Sequence, residues 1–168
     1  MKSGVVFRSA RLAAMMAAAF GMSGAAHAQY QQYTVKKVGA FDIIYIKEKG
    51  VFSRCAATMG SAANMLRLAW TPGKPYSISV PPAPAAPGKP LLMTFKFAGG
   101  ASYSFPATTD GKRAWTPVNN DVTDRLMAAK QQIVIDLGMQ HFVFPIGNTN
   151  MNNVFVEVEN CSHAAMGH

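Results

Sequence analysis

Acidic side chains are scarce in this chain: 8 Asp and Glu stand among 168 residues, against 16 Lys and Arg. Hydrolysis by two cooperating carboxylates needs a close pair. The nearest approach to one is Glu157 and Glu159, which share a face on a strand and diverge on a helix, and read as solvated surface in either case. Cysteine is rarer still, with only Cys55 and Cys161. No Cys-x-x-Cys occurs, so neither a redox dithiol nor a thiolate metal centre has local support. A Gly-x-Ser-x-Gly elbow is also missing, which removes the commonest signature of a serine nucleophile. His141 is the one histidine inside the body of the chain, and its aromatic surroundings predict a packed strand residue. There is no long basic run to track phosphates: Lys36-Lys37, Lys47, Lys49, Arg54 and Lys112-Arg113 are scattered, and nucleic acid is not expected as a partner. These charges read as a solvated surface, and the positive excess favours anionic surfaces and acidic partners.

What is present begins with an address. Lys2, Arg8 and Arg11 precede an uncharged apolar run from Leu12 to Phe20, and Ala26-His27-Ala28 forms a small-x-small cleavage site. Residues 1–28 therefore read as a secretory signal peptide. The run is too short to be a membrane span, and no later segment is apolar for long enough. Cleavage would leave Gln29–His168, 140 of the 168 residues, as a single β-rich domain with a short flexible C-terminal tail. The leader takes three basic and no acidic residues with it, leaving 13 against 8. Such a protein is expected in the periplasm or outside the cell, with no integral membrane segment. In an oxidising compartment the two remaining cysteines predict a disulfide between Cys55 and Cys161.

Along the mature chain, apolar residues alternate with polar ones. Tyr33–Val35, Phe41–Ile46 and Val51–Met59 read as strands, with Gly50 between the last two. Leu66, Leu68 and Trp70 share one face, and the turn at 71–75 leads to Tyr76, Ile78 and Val80. Residues 81–90, PPAPAAPGKP, form a proline-rich connection. Leu91, Met93, Phe95 and Phe97 then turn at Gly99-Gly100 into Tyr103 and Phe105, the clearest hairpin in the chain. Val122, Leu126 and Ala129 fall at helical spacing behind a cap at Asn120 or Asp121. Ile133, Ile135 and Leu137 pair across Gly138 with 141–146. The last segment fits a helix capped by Thr149, with Met151, Val154, Phe155, Val158 and Cys161 on one side, but Val154, Val156 and Val158 also alternate as in a strand. The expected fold is an antiparallel β-sandwich or barrel-like domain with one or two short helices.

The order of these elements, Cys55-Ala56-Ala57 early, Arg125-Leu126-Met127-Ala128-Ala129-Lys130 in the helix, and Phe142-Val143-Phe144-Pro145-Ile146-Gly147 before a final segment ending in Cys161, resembles the small exported proteobacterial proteins grouped around the invasion-associated locus B family. The likeness spans about residues 40–161. It implies an exported β-domain connected to the cell envelope or to a host partner, and it implies no catalytic residues.

The expected function is a non-enzymatic binding module whose partner is a protein or envelope component. Trp70 and Trp115, each near a proline-containing turn, are either core anchors or rim residues of a partner surface, and Pro82 and Pro84 of the proline-rich connection could join them. The alternative is a periplasmic copper-binding protein. His163, Met166 and His168 lie within six residues of one another, and thioether and imidazole ligands suit copper. Met139 and His141 make a second such pair. Met59, Met65, Met93 and Met127 fit core positions.

Overall fold

The computed structural model describes residues 30–81 and 91–167. The signal-peptide reading of residues 1–28, Pro82 and Pro84, and His168 lie outside the described residues. Among the described residues, ten strands and two helices follow one another. Five strands come first: β1 (Tyr30–Val38), β2 (Phe41–Glu48), β3 (Val51–Ser61), β4 (Asn64–Trp70) and β5 (Ser77–Val80). After the proline-rich connection come β6 (Leu91–Lys96), β7 (Ser102–Thr109) and β8 (Ala114–Pro117). Helix α1 (Asn120–Met127) leads to β9 (Gln131–Leu137) and β10 (Gln140–Gly147), and α2 (Met151–Ala165) closes the fold. Among the described residues no helix is long and apolar enough to cross a membrane.

All strand pairs are antiparallel, in the order β1-β2-β3-β4-β5-β8-β7-β6-β9-β10. The sheet ends at β1 and β10, which do not pair, so it is not a closed barrel. One apolar core nevertheless joins both ends: Phe41 and Ile43 of β2, Leu66 and Leu68 of β4, Met93 and Phe95 of β6, Ile135 of β9 and Phe144 of β10. The sheet therefore curls over on itself into a sandwich-like shell. These residues sit at alternate positions because successive side chains of a strand point to opposite faces. Val122 and Leu126 of α1 and Met151, Val154, Phe155 and Val158 of α2 complete the same core.

The final segment is thus a helix, and its stripe of buried residues outweighs the strand preference of its valines. The helix continues past Cys161 through Ala165, so residues expected in a flexible tail form its last turn. Both caps differ from expectation by one residue. Asn119 caps α1, its side chain accepting from the Val122 N–H at 3.0 Å. Asn150 caps α2 by accepting from Asn153 N–H at 3.3 Å. Thr149 is engaged elsewhere, for its hydroxyl accepts from the Ala40 N–H at 2.9 Å. Gly39 permits that contact: its φ is +58°, and a Cβ there would lie 2.3 Å from the Thr149 Oγ1.

Helix α2 is fastened to the sheet at its C-terminal half. Cys161 is bonded to Cys55 of β3 across 106 residues, with Cα atoms 6.0 Å apart. Trp70 is the register partner of Cys55, and its carbonyl accepts from the Ser162 hydroxyl at 3.4 Å. The buried Tyr76 hydroxyl donates to Glu159 at 2.8 Å. Burial, and then this bond, push the Tyr76 phenol well above its ordinary range. On the chain-entropy argument a loop of about 100 residues gains about 4.7 kcal/mol from closure, with strain subtracting from it. The double variant C55S/C161S is expected to lose about 2–5 kcal/mol in urea unfolding, with a steeper m-value because the open denatured chain exposes more surface. A loss below about 0.5 kcal/mol would show that packing alone holds α2 in place.

Candidate functional site

The cleft with the most chemistry lies on the outward face of β6, β9 and β10. Inward positions of these strands, Phe95, Ile133, Ile135 and Phe144, belong to the core. The alternate positions Lys96, Val134, His141 and Val143 therefore face out, and they form one wall of a cleft of about 710 Å³. The β6–β7 turn adds Phe97 and Ala98, and the end of α1 and its link to β9 add Arg125, Ala128, Ala129, Lys130 and Gln131.

Local sequence sets this geometry. Leu137 pairs with Gln140 across the two-residue turn Gly138-Met139, with Gly138 at φ +57°. That register puts Asp136 opposite His141. The Asp136 carboxylate meets His141 Nδ1 at 2.6 Å through one oxygen and Lys96 Nζ at 2.5 Å through the other. The bond from Lys96 is the main reason the carboxyl sits below its ordinary range; burial opposes it, and the bond to His141 lowers it further. The link from α1 to β9 is a tight turn in which the Gln132 N–H donates to the Lys130 carbonyl at 2.8 Å. This bond spans two residues and closes a γ-turn around Gln131, whose φ of +69° is left-handed for a residue that is not glycine. The strain falls at the rim of the cleft.

Arg125 is held as a platform. Its Nε donates to the Tyr103 hydroxyl at 2.9 Å, and its guanidinium carbon lies 5.3 Å from the Tyr103 ring centroid and 5.9 Å from that of Phe97. The two rings meet edge-on at 6.0 Å. All eight Asp and Glu fall within the described residues, and none forms an ion pair with Arg125 or Lys130. Lys96, Arg125 and Lys130 thus line the cleft, and the Asp136 carboxylate behind it is committed to Lys96 and His141.

His141 departs from expectation. It is exposed at the cleft instead of packed in a strand, because its position in β10 faces outward. The described lining includes no serine, threonine or cysteine beside it. Trp70 packs at the border of the core, 6.1 Å from the Tyr76 ring and 5.4 Å from that of His163. Trp115 alternates with the core residue Ala114 and so faces away from the core. The two tryptophans lie on opposite faces of the sheet and do not form one surface. Of the copper donors, His163 lies in the last turn of α2 and Met166 is its C-cap, and among the described residues no cluster of three or more His, Cys, Asp or Glu could hold a metal. Glu157 and Glu159 are committed separately, Glu157 to Lys36 at 2.6 Å and Glu159 to Tyr76.

Arg113, expected as solvated surface, instead ties strands together. Its guanidinium donates at 2.7 Å to the carbonyls of Met65 and Ser79. Burial, with Arg67 nearby, lowers its pKa to about 10. Sequence reasoning missed the cleft because Lys96, Arg125 and Lys130 converge only through the tertiary fold. The pairing of Asp136 with His141 was within reach, since a two-residue turn at Gly138-Met139 fixes it.

The chain matches no protein-family model, no curated protein and no solved structure.

Asp136 generates a pH prediction. Its pKa is lower folded than unfolded, so its stabilising contribution is present above the unfolded value of about 3.9 and is lost as pH falls through the folded value. Because Lys96 is half exposed, the expected cost of D136N at pH 7 is only about 0.5–1 kcal/mol. Urea unfolding should show wild type and D136N converging as pH falls through the lowered folded value. A gap that persists unchanged there would assign the effect to packing.

Proposed function

We propose that the mature protein is a non-enzymatic binding module of the periplasm or the exterior, and that it engages a component of the cell envelope through the β6–β9–β10 cleft. The observation that carries this reading is the cleft's lining: Phe97, Ala128, Ala129, Val134 and Val143 supply apolar surface, and a few charged groups are set around it. Ligand sites combine apolar lining with a small number of placed polar groups, and the volume is in the range of such sites. The leader, the cross-link between Cys55 and Cys161, and the resemblance to the invasion-associated locus B family support the same reading. A disulfide-stapled sheet suits an oxidising compartment.

The test fills the cleft without changing its charge. Val143 is partly exposed on its wall, and Val51 is exposed in the β2–β3 hairpin. Purified protein is sedimented with isolated envelopes. Wild type and V51W should co-sediment, and V143W should lose at least about fivefold in the bound fraction, as expected when a bulky ring excludes a ligand from its pocket. Equal binding by V143W and wild type would place the partner surface elsewhere. Wild type that stays in the supernatant would overturn the envelope component.

A further inference from the structure

We propose that the ligand of this cleft is an anion, a carboxylate or a phosphate, carried on an apolar body, with Arg125 and Lys130 holding the anion and Phe97, Val134 and Val143 taking the body. This rests on the reading of the cleft as the binding site. The first argument is charge. Asp136 satisfies Lys96 and His141 with its two oxygens, so the positive charge left over is concentrated at the Arg125–Lys130 end. No acidic side chain of the chain pairs with either residue.

The second argument is preorganisation. Long cationic side chains lose rotamer freedom when they bind, which offsets much of a surface ion pair. Arg125 has already lost it. The bond from Nε to Tyr103 and the contact with the Phe97 and Tyr103 rings fix the plane of the guanidinium. Its two terminal nitrogens make no hydrogen bond to any described residue and remain as a fork, the geometry that takes two oxygens of one carboxylate or phosphate at once. Lys130 stands on the strained γ-turn, which holds its backbone close to the end of α1. An apolar body is implied as well, because the lining beside the charged groups and the two glutamines, Gln131 and Gln132, is alanine, valine and phenylalanine, whose removal from water favours a ligand that covers them.

The experiment is a nuclear magnetic resonance titration of isotope-labelled, disulfide-intact protein at low ionic strength. The probes are phenylacetate, phenyl phosphate and the neutral 2-phenylethanol. Both anions, or one of them, should shift the amides of Ala129, Lys130 and Gln132 saturably, at least about tenfold more tightly than the alcohol, as a charge-assisted bidentate contact implies. The tighter anion names the head group. R125Q should weaken anion binding about tenfold, R125K should restore only part of it because lysine lacks the fork, and K47Q should change nothing. K130Q, on an exposed turn, gives a second reading should R125Q disturb the fold. Equal affinity for the alcohol and the anions would overturn the anionic class and leave the cleft standing as a site. Wild-type anion affinity in both R125Q and K130Q, or no shift at the cleft with either anion, would also overturn it. Sedimentation of V143W decides separately whether the cleft is where the envelope binds.

Discussion

An open sheet of ten strands needs a cover for its main apolar face, and here a single helix supplies much of it. Met151, Val154, Phe155 and Val158 of α2 enter the core that the curled sheet leaves to be filled. Burying each such side chain is worth about 1.5–3 kcal/mol, so the stripe outweighs every polar contact the helix makes. The exposed pair Lys36–Glu157 adds little, and the 3.4 Å bond from Ser162 to Trp70 is long. The cross-link to Cys55 differs in kind, because it acts mainly on the denatured chain by keeping the C-terminal helix near β3 before packing begins. It joins the first third of the domain to its last element, a contact whose closure entropy would otherwise be among the largest in the fold.

The opposite end of the sheet does without a helical cover on its outward face. There Val134 and Val143 remain on the outer surface of strands whose inner positions are saturated with core residues. A two-sided apolar strand near a sheet edge invites unwanted pairing, and edge strands are commonly guarded by charge and by proline. Strand β10 carries Pro145, and the neighbouring outward positions are Lys96, Asp136 and His141. The same residues that guard the edge therefore shape the cleft. Arg125 does not belong to that guard. It is stacked on two rings instead of reaching a carboxylate, although Asp121 stands one helical turn away in α1, at a spacing that often forms a pair.

How much of this was legible follows from where each signal originates. The hairpins β6–β7 and β9–β10 were plain, because one buried face imposes alternation on the residues themselves. Strand β1 was visible only as Tyr33–Val35, since most of its nine residues are exposed and no periodicity survives. Its extent is set by pairing with β2, which sequence pattern does not encode. The α2 cap moved from Thr149 to Asn150 for a long-range reason: Thr149 is occupied by the Ala40 amide, 109 residues earlier. The disulfide was accessible by count, because two cysteines have one intramolecular choice. The cleft was not accessible in this way, because Lys96 and Arg125 are unremarkable surface cations until β9 brings their elements together.

His141 shows why residue type and residue role separate. Its neighbours Phe142 and Phe144 suggested a histidine packed among aromatics, and the two phenylalanines do stack at 6.1 Å. In a strand, however, adjacent residues face opposite ways, so an aromatic neighbour argues for exposure as strongly as for burial. Phe144 is core, and two-residue alternation from it places Phe142 inward and His141 outward. Once outward, the imidazole meets Asp136 because the Gly138-Met139 turn fixes the register, and Asp136 in turn draws in Lys96 from β6. This carboxylate thereby holds two potential ligand-binding groups in place and offsets the charge of Lys96, so the positive charge that remains to the cleft lies on the side chains it does not touch, Arg125 and Lys130.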